Sequence, residues 1–274
     1  IARALKKEKL SKKINIFSRS SKTLKKAKKL NLGNFYTNKI EESVKNSDLI
    51  IICTPLSTYG TILGKISRHI DKEAILTDVG SVKLKVTKFF SKLKRKDLYI
   101  IPAHPIAGTE NSGPEAGFAE LFNKRWCVLT PIGRNNKQSL VKIKKLWNKF
   151  GSKVQIMSAE KHDKILSLTS HMPHLISYSI VSSVLNVNTK EKSQIVKFSA
   201  GGFRDFTRIA ASDAIMWRDI FLDNKTNLLK ITKQFEKSLN LIKKYIKENN
   251  SKKLYEIFSE TKKIRKLIEK EKQD

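Results

Sequence analysis

Through the first 157 positions the apolar residues come in short runs, separated by stretches in which they recur at helical spacing. The run Asp48-Leu-Ile-Ile-Ile-Cys53 is rich in β-branched residues and stops at Thr54-Pro55, which marks a buried strand. Segments 74–77, 98–101, 126–129 and 153–157 read the same way, and Ile14, Ile16 and Phe17 place a further strand in 12–18. Between them, 1–7, 21–30, 40–44, 57–70, 82–93 and 140–150 carry amphipathic helical patterns. Strands alternating with helices of this length predict a parallel sheet with right-handed crossovers, a doubly wound Rossmann-type α/β domain. The chain opens on a helix at Ile1, so the first strand of such a unit is expected to be missing in front of it. Pro102 cannot donate to a ladder, and the chain is expected to leave the sheet there, carrying His104 on a loop.

The texture changes at Ser158, which suits a helix N-cap with Glu160 in the first turn. Beyond it no strand pattern recurs, and helical segments fall at 159–186, 190–198, 212–222, 224–248 and 251–271. The expected boundary lies between 157 and 158, with an amino-terminally truncated dinucleotide-binding domain over 1–157 and an all-α domain over 158–274. The apolar faces of 166–185 and of Ile231, Phe235, Leu239, Ile242 and Ile246 exceed what a small helical domain buries. They predict a homodimer formed through this half.

Charge changes the picture less than its size implies. The 274 residues hold 56 Lys and Arg against 25 Asp and Glu, a net +31, which raises a nucleic-acid-binding alternative. The lysines, however, are spread in pairs such as Lys6-Lys7, Lys25-Lys26, Lys144-Lys145 and Lys243-Lys244 over many helices. No aromatic-interleaved patch or basic tail gathers them, so they read as solvated helix faces and nucleic acid is not expected as a partner. No apolar run approaches the ~18 residues of a membrane span and no signal peptide pattern opens the chain, so a soluble cytoplasmic protein is expected. Cys53 and Cys127 lie in strand-like segments and read as reduced core thiols.

Candidate chemistry gathers at strand ends. His104, between Pro102 and Pro105, precedes Gly108 and the polar group Thr109, Glu110, Asn111, Ser112. In an open parallel sheet ligands bind beyond the carboxyl ends of the strands, which puts this imidazole where chemistry is done; a loop-capping histidine is the alternative. The glycine fingerprint Gly-x-Gly-x-x-Gly is absent, as follows if its strand and turn precede Ile1. The strand 12–18 ends in Ser18-Arg19-Ser20 with no acid before Glu41, and an arginine flanked by hydroxyls suits a ribose 2′-phosphate. The cofactor expected is therefore NAD(P), leaning to NADP, with Thr54, Pro55, Asp78 and Gly80 as further contacts at the same sheet edge; an ordinary exposed turn is the alternative for Arg19. Arg204 and Arg208, four residues apart, are candidates to clamp an anion, and a salt bridge of Arg208 to Asp205 or Asp213 is the alternative. His171 and His174 have no Cys or acidic partner at ligand spacing, so no metal is expected; Pro173 should bend their helix.

Several of these motifs occur together in one order. Thr77-Asp-Val-Gly-Ser-Val-Lys83, His104-Pro-Ile-Ala-Gly-Thr-Glu110 with Ser112-Gly113, Ser170-His-Met-Pro-His174, Gly201-Gly-Phe-Arg-Asp-Phe-Thr-Arg208 and Asp213-Ala-Ile-Met-Trp217 resemble the prephenate dehydrogenase family, the oxidative decarboxylases of tyrosine biosynthesis. The resemblance implies that prephenate is oxidised with hydride transfer to NAD(P), and arogenate is the alternative substrate. It implies His104 as base on the 4-hydroxyl, Ser81 sharing that hydroxyl or fixing the imidazole, and Arg208 gripping a carboxylate. It places His174 near the substrate, with His171 structural; Thr109 and Glu110 belong to a loop expected to gate or line the site, and Trp217 is a candidate pocket wall with plain core as the alternative. Glu110 leans the choice toward prephenate.

Overall fold

The computed structural model describes residues 1–109, 111–133 and 137–270. Its amino-terminal half runs α1 (Ala2–Lys7), β1 (Asn15–Phe17), α2 (Ser21–Lys29), β2 (Phe35–Thr37), α3 (Ile40–Val44), β3 (Leu49–Ile52), α4 (Tyr59–Ile66), β4 (Ile75–Asp78), α5 (Lys83–Ser91), β5 (Tyr99–Ile100), β6 (Ala103–Pro105), β7 (Trp126–Leu129), α6 (Lys137–Lys149) and β8 (Lys153–Ile156). β1 pairs parallel with β2, and β3, β4 and β5 form a second parallel ladder, as the alternation of patterns predicts. β7 pairs parallel with β8 and antiparallel with β6, and an isolated bridge joins Ile100 to Ile132.

Two differences from the sequence reading bear on function. His104 is not on a loop: it sits in β6 opposite Val128. The flanking prolines are tolerated because each lies where the ladder needs no N–H from it. Pro102 contributes its carbonyl to Thr130 N–H (2.9 Å), and Ile106 N–H, just past Pro105, closes on Trp126 O (2.7 Å). β2 was not expected; three residues, of which only Thr37 is buried, leave too short a pattern to register.

Side chains alternate between the two faces of the sheet. Ile50, Ile52 and Leu76 pack with Leu56, Tyr59, Leu63, Val86 and Phe90 on one face, while Ile75, Ile101 and Ala103 pack with Leu5, Leu129, Ile143 and Trp147 on the other. Cys127 is buried in the second group; Cys53, just beyond β3, is exposed rather than in the core, and both thiols are free.

The second half is helical: α7 (Ala159–Leu166), α8 (Met172–Ser183), α9 (Thr189–Phe198), α10 (Gly201–Thr207), α11 (Ala214–Asp223), α12 (Lys225–Lys247) and α13 (Ser251–Lys270). Ser158 caps α7 as expected, its hydroxyl accepting from Lys161 N–H at 3.2 Å. The single helix expected over 159–186 is interrupted by a π-helical turn, Ser167–His171, immediately before Pro173. Such turns widen the backbone where an i→i−4 bond cannot be made. α10 begins on two glycines and carries no helical signal of its own. Trp217 and Ile220 of α11 join the first core cluster, and Ser57 N–H donates to Asp219 Oδ2 (3.2 Å), so α11 docks onto the α/β half. Among the described residues no helix is long and apolar enough to cross a membrane.

Candidate active site

Four histidines converge where α7 and α8 meet the sheet. β6 brings His104, only 8 % exposed, so that its Nδ1 lies 2.8 Å from His162 Nε2. His162 Nδ1 in turn lies 2.7 Å from Asp163 Oδ1, and neither His162 nor Asp163 has any exposed surface. Asp163 also accepts the backbone N–H groups of Lys83 (2.8 Å) and Leu84 (2.9 Å), which open the first turn of α5. Asn224 donates one amide N–H to Asp163 O (2.9 Å) and the other to His171 Nδ1 (3.0 Å), leaving His171 Nε2 buried without a partner. Burial lowers the pKa of all four rings. His104 is held well below its ordinary value, with the charge of Lys83 and the neighbouring rings adding to desolvation. For His162 the carboxylate of Asp163 opposes that effect, and His171 is pushed down to about 4.

Under this cluster lies an ion pair sealed from solvent. Lys83 Nζ meets both oxygens of Asp78 (2.7 and 2.8 Å) and the carbonyl of Ala103 (2.7 Å), the residue before His104. Asp78 further accepts from Tyr59 O–H (3.0 Å), Gly80 N–H (2.7 Å) and Ala103 N–H (3.2 Å). Asp78, expected as a cofactor contact, has no exposure, and its side-chain oxygens are spent fixing β4 to β6. A Cβ on Gly80 would stand 2.7 Å from Leu56 Cδ2 and 2.9 Å from Asp78 Oδ2, so any larger residue has to push both aside at this corner. Ser81 follows, half-buried, and makes no hydrogen bond to His104; the imidazole is fixed by His162 instead.

The helical half carries a second group of side chains. His174 stacks on Trp217 with centroids 3.5 Å apart and donates from Nδ1 to Ser170 O (2.9 Å). Arg208, exposed at the end of α10, bears on that ring closely enough for its charge to lower the His174 pKa, after the larger effect of desolvation. Trp217 is 6 % exposed and also meets His171 and Phe221 edge-on, so it belongs to the core while stacking on His174. Thr109 is exposed and accepts from Asn111 N–H (3.3 Å); Glu110 lies outside the described residues.

At the carboxyl end of β1 the hydroxyls are already used. Ser18 accepts from Ser20 N–H, and Ser20 caps α2 through Thr23 N–H. Thr54 bonds Thr58, whose hydroxyl donates to Pro55 O. Arg19 is exposed there, with no ion pair or hydrogen bond among the described residues. A free guanidinium at the carboxyl end of a parallel strand fits a phosphate-bearing dinucleotide.

Sequence reasoning missed His162, Asp163, Lys83 and Asn224. A signal did exist: Ala159, His162, Asp163 and Leu166 form the buried stripe of α7, and two polar residues on an apolar stripe demand partners.

A parallel α/β half whose strand ends meet an imidazole cluster, closed by a helical half, defines a dinucleotide-dependent dehydrogenase of two-domain type. Residues 1–156 match the family model described as prephenate dehydrogenase, nucleotide-binding domain, and 158–260 that described as prephenate dehydrogenase, dimerization domain; the chain belongs to the prephenate dehydrogenase family. It is 37% identical over 252 residues to the cyclohexadienyl dehydrogenase of Zymomonas mobilis, covering 92% of this chain and 86% of that protein. It is 32% identical over 267 residues to the prephenate dehydrogenase of Bacillus subtilis, covering 97% and 71%. The fold matches the crystal structure of Aquifex aeolicus prephenate dehydrogenase in complex with hydroxyphenyl propionate and NAD+, with TM-score 0.89, 35% identity and coverage of 97% and 93%.

Proposed function

We propose that this chain catalyses the oxidative decarboxylation of prephenate to 4-hydroxyphenylpyruvate with NAD(P), the step that aromatises the ring in tyrosine biosynthesis. The observation that carries the reading is His104, held by one ring nitrogen where β6 meets α7. In this reading residues 1–157 hold the dinucleotide, and 158–274 supply the substrate clamp and the dimer contact. When bound, the oxidised nicotinamide accepts the hydride that leaves the carbinol carbon.

His104 accepts the 4-hydroxyl proton as that carbon is oxidised, and returns it to the phenolic oxygen once the carboxylate has left as CO2. In this reading Ser81, which follows the end of β4, shares the same oxygen. Arg208 grips a substrate carboxylate through two parallel hydrogen bonds, beside His174 and with Trp217 walling the pocket. Thr109 and, from its motif alone, Glu110 are further candidates for contact with substrate. Arg19, flanked by Ser18 and Ser20, reads the ribose 2′-phosphate of NADP, with Thr54, Pro55 and Gly80 along the same edge. Leu229, Leu239, Ile246, Tyr255, Phe258 and Ile264 are exposed on α12 and α13, and a second copy covering them makes the homodimer.

The test is turnover of prephenate, and separately of arogenate, by the full chain, followed by absorbance of the reduced nicotinamide with NAD and with NADP. Prephenate should be turned over, His104→Asn should lose about two to four orders of magnitude in kcat, and Arg208→Ala should raise KM by more than about tenfold. No turnover of either substrate, or a His104→Asn enzyme near wild type, would overturn the reading.

A further inference from the structure

We infer that His162 and Asp163 are positioning residues that lock His104 in the tautomer protonated at Nδ1, so that Nε2 presents the lone pair to the substrate hydroxyl. The inference rests on His104 being the base, as proposed above, and concerns how one ring nitrogen is made available for that task.

The proton positions follow from the donors. Both oxygens of Asp163 accept backbone N–H groups, from Lys83 at Oδ1 and Leu84 at Oδ2, and a backbone N–H can only donate. The 2.7 Å contact of Oδ1 with His162 Nδ1 therefore carries a proton on the nitrogen. A neutral imidazole has a single N–H, so His162 Nε2 is an acceptor, and at 2.8 Å it requires the proton of His104 to sit on Nδ1. His104 Nε2 is left with its lone pair and has no protein partner among the described residues.

The surroundings keep the arrangement in place. His162 and Asp163 have no exposed surface, so water offers no competing bond. The charged and titratable groups bearing on the two rings are Lys83 from α5, Asp78 from β4, Asp163 from α7 and His171 from the π turn. Desolvation and the Lys83 ammonium disfavour charge on either ring at rest, which holds His162 neutral and its Nε2 free to accept. When His104 takes the hydroxyl proton at Nε2, its Nδ1–H already points at His162, and no donor has to turn. His104 itself takes and returns only the proton, and it does so by the same nitrogen. Because His104 belongs to the sheet and His162 to the first helix of the second half, the tautomer is set across the junction between them.

The decisive measurement is long-range 15N–1H NMR of the chain labelled at histidine nitrogens, with His104 assigned from its absence in His104→Asn. His104 should show a protonated Nδ1 and a bare Nε2 at pH 7. Asp163→Leu, which removes the acceptor of the His162 Nδ1–H, should let the His104 proton divide between Nδ1 and Nε2. In turnover, His162→Phe should lower kcat by about 10²–10³ with KM within about threefold, whereas His162→Gln, whose carbonyl can accept from Nδ1–H, should stay within about tenfold. A wild-type spectrum with His104 protonated at Nε2, or a His162→Phe enzyme within threefold of wild-type kcat, would overturn the inference. The spectrum needs no activity, so the inference can fail while the base reading stands, and the base reading fails separately through His104→Asn.

Discussion

Replacing Lys83 by methionine isolates the energetics of the sealed ion pair under the site. Methionine fills the space of the lysine stem but removes the cation that meets both Asp78 oxygens and the Ala103 carbonyl. Asp78 keeps three neutral donors, from Tyr59, Gly80 and Ala103, so its carboxylate is weakened rather than abandoned. Removing the cation leaves a buried carboxylate with one side of its pair gone, which costs about 3–5 kcal/mol. The unpaired Ala103 carbonyl accounts for about 1 kcal/mol of it. Urea unfolding of wild type and variant at pH 7 measures the loss. A loss below about 1 kcal/mol would show that the pair is not sealed.

Acid should also act on the wild-type chain through its histidines. All four rings have folded pKa values below the unfolded 6.5, so the unfolded chain binds more protons and stability falls as pH drops from 6.5 toward 4. His171 alone, at about 4, accounts for on the order of 3 kcal/mol of this; a flat denaturation midpoint across that interval would contradict it. Gly80→Ala places a methyl 2.7 Å from Leu56 Cδ2 and 2.9 Å from Asp78 Oδ2. It should cost about 1–3 kcal/mol in thermal or denaturant unfolding, and an unchanged midpoint would mean that the corner after β4 gives way freely.

The alternation of strands and helices, the change of texture at Ser158 and the candidacy of His104 were legible along the chain, because each depends on neighbours within a turn or two. Hydrophobic period, a capping hydroxyl and a proline-flanked imidazole are local properties. Tertiary structure decided the rest. Lys83 reads like any of the chain's many lysines until folding seals it against Asp78, five residues away, and against Ala103, twenty away. That β6 exists at all depends on β7 arriving to pair with it, since its prolines argue locally against a strand. The partner of His104 comes from 58 residues downstream, on a helix whose polar pair has no meaning until the two halves pack. Short-range pattern specifies elements because propensity and solvation act residue by residue; proton positions in a buried cluster depend on which donors and acceptors the packing brings within 3 Å.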